Sequence, residues 1–464
     1  MPKNKPKKYR QDEHIVDNIE INIWEALIPV VALVGMLAYN VYVFGDEAIG
    51  GSNQFILLMG GAVAAIVGFF NKVSYKQMLA EVAENVKSTT GALLILLMVG
   101  ALAGTWLISG VFPAMIYYGL QILNPTIFLA ACVVISAIIS IATGSSWTTA
   151  ATVGIALIGI GEALGISLGM TAGAVLSGAY FGDKMSPLSD TTNLAPAMAG
   201  GELFDHIRYM TITTVPTILV TLAVFIILGF TIDTTGSADT EAILNSIDAT
   251  LNINGWLFIV PVVVILLIVK KTPPLAALLI GTLLGAVFAL IFQPDIVAQI
   301  TDSKELTFES GYKGILKAIT VKTSIATDNV ALNDLFSAKG MAGMLGTIWL
   351  IVCAMVFGGV MDGIGALSRI TKSLLSLAKT TFGLFASTVG SCLALNVTAS
   401  DQYLAIVVPG KMFSQAYSDR GLAPENLSRT LEDSGTVTSV LIPWNTCGAC
   451  LLYTSDAADD YFWV

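Results

Sequence analysis

Acidic and hydroxyl side chains gather in a few short clusters of this sequence, each bounded by apolar stretches. The richest reads Gly178-Ala-Tyr-Phe-Gly-Asp-Lys-Met-Ser-Pro-Leu-Ser-Asp-Thr-Thr-Asn-Leu-Ala-Pro and holds Asp183, Ser186, Asp190, Thr191 and Asn193. Thr143 and Ser145 belong to another, Thr143-Gly-Ser-Ser-Trp-Thr-Thr-Ala. Late in the chain come Asn396, Thr398 and Asp401, then Asp433 and Thr436 in Leu431-Glu-Asp-Ser-Gly-Thr-Val-Thr, then Asn445 and Thr446. These are hard oxygen donors. A bare alkali cation needs several of them to replace its hydration shell, and one or two carboxylates supply the opposing charge. Desolvation disfavours the ionised form of a carboxyl, so a partly buried aspartate can hold a proton where it would otherwise hold a cation. Exclusive occupancy by one or the other is the simplest basis for exchange. Asp183, Asp190 and Asp401 are the candidate ligands for a transported cation, and no resident cofactor is expected.

Each cluster has a plainer explanation. A carboxylate at mid-membrane costs roughly 2.5–3.5 kcal/mol on insertion scales, so Asp183 and Asp190 mark an ion pathway unless their segment is a loop in water. On one continuous helix their spacing would put them on one face. Pro187 lies between them, which predicts the two ends of a broken helix. Thr143–Thr149 is either a local unwinding or close helix packing through small residues. Asp401 has apolar sequence on both sides, whereas Glu432 and Asp433 follow Arg429 and could form a surface ion pair. Asp362 and Glu25 read as interfacial, and Glu162, among glycines, as a turn residue.

The surroundings must be lipid. Hydrophobic residues make up 55% of the chain and charged ones 12%, whereas soluble domains carry roughly 25% charged residues. With 43 Gly besides, 23 basic and 33 acidic side chains could not cover a soluble protein of 464 residues. A cytosolic enzyme, a nucleic-acid binder and a disordered chain are excluded. The net charge of −10 sits in scattered loops and names no basic partner. Two His cannot build a zinc or haem site, and the five Cys, Cys447 and Cys450 in C-x-x-C included, lack the context for redox chemistry or a disulfide framework.

A bilayer core needs about 20 apolar residues of helix. Segments 24–44, 54–70, 88–109, 125–142, 209–230, 255–269, 273–292, 341–361 and 381–398 supply them. Segment 24–44 is too long for a signal-peptide core and has no A-x-A site after it. Residues 231–254 and 293–340 read as loops. With the basic start Lys3, Lys5, Lys7, Lys8 and Arg10 placed in the cytoplasm, the short basic loops fall inside and the uncharged or acidic ones outside. The expectation is an all-α polytopic membrane protein with about 10 to 13 transmembrane or re-entrant helices.

Two halves share one order: two apolar spans, a hydroxyl cluster, then an acidic Ser/Thr-Pro cluster, about 250 residues apart. Counted orientation inverts the second half against the first, and inverted-topology repeats with broken helices recur in secondary transporters. The expected division is a basic cytoplasmic segment, 1–22, and a membrane domain, 23–450, with repeat one at about 88–208 and repeat two at about 341–450.

The strings Thr143-Gly-Ser-Ser-Trp-Thr-Thr-Ala-Ala-Thr-Val-Gly, Gly178 to Pro196 and Pro443-Trp-Asn-Thr-Cys-Gly-Ala resemble the NhaC-type sodium/proton antiporter family, within the ion-transporter superfamily. The similarity runs from about Trp24 to Ala449. The resemblance implies Na+/H+ exchange by alternating access in the bacterial inner membrane, although some members of the family exchange malate and protons for lactate and sodium. Carried over by motif, Asp183, Ser186, Asp190, Thr191, Asn193, Thr143 and Ser145 form the first-repeat set, and Asn396, Thr398, Asp401, Asp433 and Thr436 the second. The chain departs from the family after Cys450, and residues 451–464 read as a non-native tail. Expected partners are the bilayer, Na+, H+ and, for the alternative, malate or lactate, whose charge Lys184, Lys411 or helix N-termini would meet. Nucleic acid is not among the partners, and a homo-oligomer stays open. An intramembrane aspartyl protease is disfavoured, because Tyr180 stands where that class's Gly-x-Gly-Asp needs its first glycine. A passive channel would lack saturable exchange.

Overall fold

A computed structural model describes residues 21–44, 51–122, 124–187, 189–231, 240–270, 272–327, 333 and 336–454. Most of the basic opening segment, Asp233, Asp239 and residues 455–464 lie outside the described residues. The chain is an all-α multi-pass membrane protein. Its first half comprises α1 (Ile23–Phe44), α2 (Ser52–Phe70), α3 (Tyr75–Ser88), α4 (Thr90–Ile108), α5 (Val111–Ile122), α6 (Pro125–Thr143), α7 (Ser146–Thr149), α8 (Ile155–Ala163), α9 (Leu168–Met185), α10 (Asp190–Ala199) and α11 (Leu203–Thr231). A π turn, Ala150–Gly154, joins α7 to α8. A middle section follows with α12 (Thr240–Thr250), α13 (Ile259–Val269), α14 (Pro274–Phe292), α15 (Pro294–Ile300) and α16 (Phe308–Thr320). It closes on a short antiparallel pair, β1 (Thr323–Ser324) and β2 (Ser337–Ala338). The last section holds α17 (Gly340–Gly343), α18 (Leu345–Gly363), α19 (Ala366–Ser376), α20 (Thr381–Thr398), α21 (Gln402–Ser418), α22 (Pro424–Leu431), α23 (Val437–Ser439) and α24 (Thr446–Thr454), with a π turn, Glu432–Thr436, between α22 and α23.

Among the described residues seven helices are long and apolar enough to span a bilayer, or up to nine if each of two bent pairs is one span. Their bounds follow the apolar segments read from sequence, because lipid leaves a backbone no partner outside its own helix. α11 shows the consequence: Ile212, Leu219, Val220, Ile227 and Phe230 are all exposed, as a lipid-facing surface requires. Three segments differ from expectation. The uncharged connection after α4 is the helix α5, turned back by 71°. The acidic loop at 231–254 contains α12, which bends by 91° into the Gly255–Ile268 segment. The segment read as a loop at 293–340 contains two helices, α15 and α16, and α16 is amphipathic and starts on a reciprocal Thr307/Ser310 capping box. Glu162 lies in the last turn of α8 rather than in a loop.

The most extensive interhelical contact positions the clusters. α6 begins on an Asn124 cap with Pro125 at its first turn, and it lies along α9. Gly178 and Gly182 make that approach possible. A Cβ at Gly178 would meet Val133 O at 2.1 Å, and one at Gly182 would meet Ser140 Cβ at 2.4 Å. Small residues let backbones close in this way where no hydrophobic force acts between helices. Ser140 Oγ fastens the contact by donating to Ala179 O at 2.5 Å. Gly182→Ala is therefore expected to cost about 1–3 kcal/mol by overpacking. The check is the thermal midpoint in detergent, with Gly35→Ala as the reference, since nothing lies within 4 Å of a Cβ there.

Candidate functional site

Four helix breaks meet at the centre of the fold. α6 ends at Thr143 because Gly144 takes a left-handed conformation, φ 71°, and Ser145 then caps α7 by accepting from Thr148 N at 3.2 Å. α9 ends at Met185, and the chain crosses Pro187 to Ser189, whose hydroxyl caps α10 by accepting from Thr192 N. In the second half α20 ends at Thr398, Ser400 takes φ 59°, and Asp401 caps α21 by accepting from Leu404 N at 3.0 Å. A left-handed serine costs roughly 1–2 kcal/mol, and such strain gathers at functional sites. α24 then begins at Thr446, whose N–H reaches back to Ser400 O at 3.0 Å. Each break in the second half falls about 255 residues after its counterpart.

Within each half one break supports the other. Asp183, 7% exposed, accepts through Oδ2 from Ser146 Oγ at 2.6 Å and from Ser146 N at 3.2 Å. A carboxylate at a helix start is favoured both by free N–H groups and by the helix dipole. Thr192 Oγ1 bridges back to Asp183 O, and Ser186 Oγ ties the break to Ile141 O on α6. In the second half Asn396 Nδ2 donates to Gly435 O at 2.8 Å and to Thr438 Oγ1 at 2.9 Å, while Asn445 Nδ2 donates to Asn396 O.

The breaks enclose a cavity of about 460 Å³. Of the residues named from sequence, Thr143, Ser145, Asp183, Asp190, Thr191 and Asp401 line it. Asp183 and Asp401 are buried, and Asp190 is exposed at its margin. The remaining six do not line it. Ser186, Asn193 and Asn396 hold the breaks together, with Asn193 Nδ2 donating to Pro187 O and Ser189 O. Thr398 bonds back to Ala394 O within its own helix. Thr436 sits on the second π turn, and Asp433 pairs with a lysine of the first half. Among the described residues no Lys, Arg or His lines the cavity, Lys184 and Lys411 included; Lys271, next to the lining residue Thr272, lies outside the described residues.

Sequence reasoning missed several contributors. Ser146, the hydroxyl that Asp183 accepts from, sits beside the cavity-lining Ser145, and spacing alone does not tell which serine meets the carboxylate. Ser189, Trp147 and Tyr403 also line the cavity, as does Thr446, which the sequence singles out beside Asn445. Among the described residues no three His, Cys, Asp or Glu groups converge on a metal position, so the aspartates surround a space rather than one coordination shell. The alternative of an Arg429 ion pair is not met among the described residues. Arg429 lies over the Tyr209 ring, 4.9 Å from its centroid, while Asp433 Oδ1 takes Lys184 Nζ at 2.5 Å. Glu432 is fully buried and accepts from Thr191 Oγ1 at 2.9 Å.

The sequence model of the Na+/H+ antiporter family matches residues 178–463, which holds the Asp183–Asp190 break and both second-half breaks. The Na+/H+ antiporter NhaC of Alkalihalophilus pseudofirmus is 36% identical over 389 residues, 83% of this chain and 81% of that one. The chain belongs to the Na+/H+ antiporter family. The family consists of transporters, not enzymes. The antiporter is also similar to proteins named for other cargo. The malate-2H+/Na+-lactate antiporter of Bacillus subtilis is 35% identical over 400 residues, 85% of this chain and 82% of that one. The arginine/ornithine antiporter ArcD of Halobacterium salinarum is 32% identical over 429 residues, 91% and 84% of the two chains.

Proposed function

We propose that this antiporter exchanges Na+ for H+ across the cytoplasmic membrane by alternating access, with its N-terminus in the cytoplasm. One observation carries the reading: three aspartates and the hydroxyls of Thr143, Ser145 and Thr191, from breaks in both halves, line one cavity, and among the described residues none of its lining side chains is cationic. Na+ held there by oxygens is displaced when Asp183 or a neighbouring aspartate takes a proton, since the two cations compete for the same charge. The matched order of breaks supports inverted repeats at about 88–208 and 341–450, whose relative rocking exposes the cavity to each side in turn.

Exchange of malate and protons for lactate and sodium is the second reading. The cavity volume favours it, being larger than one cation needs, and so does the relative carrying that name. Against it, a dicarboxylate would face three aspartates with no Lys, Arg or His among the described lining residues, and like charges repel. Proteoliposomes with an imposed pH gradient separate the two. Na+ is expected to collapse the gradient and K+ to leave it, with no response to malate or lactate. Arginine belongs in the panel, because Trp147 and Tyr403 beside the aspartates would suit an organic cation. A response to malate without sodium dependence would overturn the Na+/H+ reading.

A further inference from the structure

The cavity does not account for the second π turn, Glu432–Thr436. π turns are rare and concentrate at functional sites. Glu432 on this turn is 0% exposed, and its two oxygens are treated unequally. Oε1 accepts from Thr191 Oγ1 at 2.9 Å, whereas Oε2 has no hydrogen-bond partner. The Thr436 hydroxyl, one turn on, faces the same carboxylate. A buried ionised carboxylate with an orphan oxygen is costly. A single added proton removes that buried charge, and the neutral acid can donate to or accept from the neighbouring Thr191 hydroxyl, which is both donor and acceptor.

We propose that Glu432 is a proton-binding site of the exchange cycle, separate from the cation cavity and joined to it by the hydroxyls of Thr191 and Ser189. The inference rests on the Na+/H+ reading above and adds a second carboxylate to it. Both hydroxyls line the cavity, Ser189 Oγ lies 3.2 Å from Thr191 Oγ1, and Thr191 reaches Glu432. The path is short and continuous. A proton from cavity water passes along it to the ionised carboxylate, giving the neutral acid, and returns the same way when a cation takes its place among the aspartates.

The charges around Glu432 suit that role. From α9, Lys184 and Asp183 act on it with opposite sign, and Lys184 is held by Asp433. From α22, Arg429 lies over the Tyr209 ring. α10 carries Asp190 at the cavity margin, and α20 offers neutral Asn396, which bonds Gly435 O. On α21, Asp401 accepts from Leu404 N, Tyr403 faces the cavity, and Lys411 is exposed. No cation sits on Glu432 to hold it permanently ionised.

The test compares two exchange modes of the full chain in proteoliposomes. In the wild type, Na+ drives both isotopic Na+/Na+ exchange and proton movement. Glu432→Gln, a neutral mimic of the protonated acid, is expected to keep isotopic exchange within about threefold and to lose Na+-driven proton movement by about tenfold or more. Glu432→Asp, which keeps a titratable group, restores proton movement with a displaced pH profile. Proton movement with an unchanged profile in Glu432→Gln would overturn the proposal. Loss of both modes in monodisperse protein would also overturn it, by placing Glu432 in the cation site. Absence of Na+-driven proton movement in the wild type would instead remove the Na+/H+ reading itself.

Discussion

Asp183→Asn is expected to abolish the Na+-dependent collapse of a pH gradient, lowering the initial rate by about two orders of magnitude, the equivalent of about 3 kcal/mol. The size follows from what the carboxylate does. Its Oδ2 accepts twice from Ser146, at 2.6 and 3.2 Å, and hydrogen bonds to an ionised group are worth about 1.5–3 kcal/mol. Asparagine can present its one carbonyl oxygen to the same two donors, so the join between the first-half breaks survives. It holds neither a proton nor a negative charge, and exchange stops while the fold stays. The neighbouring aspartates give the contrast. Asp401→Asn keeps an oxygen for the Leu404 N–H and is expected to lose less, and Asp190, exposed at the margin, least. Initial rates of dye dequenching for the three variants, with a monodisperse elution profile for each, give the order. Asp183→Asn that folds and exchanges at the wild-type rate would end the assignment of this cavity.

Much of this arrangement is legible in the sequence. Long apolar segments in a chain with 12% charged residues must be spanning helices, and Gly144 and Pro187 mark two of the four breaks through simple backbone chemistry. Legibility ends where position depends on tertiary contact. Ser145 and Ser146 are chemically identical, and only the αL turn at Gly144 decides which meets Asp183. Arg429 is the nearest cation to Asp433 along the chain, yet Lys184, from the other half, is its partner because α10 packs against α21 and α22. Glu432 looks like a surface residue for the same reason: its environment comes from Thr191, distant in sequence. α12 and α16 pass for loops because polar residues lower their mean hydropathy although a helical face persists.

The Lys184–Asp433 ion pair carries the other large effect, and its two partners are not equivalent. The lysine side chain is 9% exposed and the aspartate 30%, so removing the aspartate strands the more deeply buried charge. Breaking a buried pair costs about 3–5 kcal/mol, and the partial exposure of Asp433 places Asp433→Asn at the lower end, about 3 kcal/mol. Lys184→Met strands a charge that still touches solvent and is expected to cost about half of that. The double variant Lys184→Met/Asp433→Leu removes both charges and is expected to return close to wild-type stability, because apolar replacements of a buried pair are often neutral. Thermal midpoints of the four proteins in one detergent close the cycle, and single variants as stable as the wild type would remove the pair from the energetics. The freed ammonium in Asp433→Asn also has Glu432 within electrostatic reach. It would favour the ionised form there and shift the pH dependence of exchange toward acid, which the charge-free double variant would not. The stability cycle and the pH profile thus read two consequences of one contact: the pair joins the first-half break to the second-half π turn, and Asp433 offsets the lysine's charge beside Glu432.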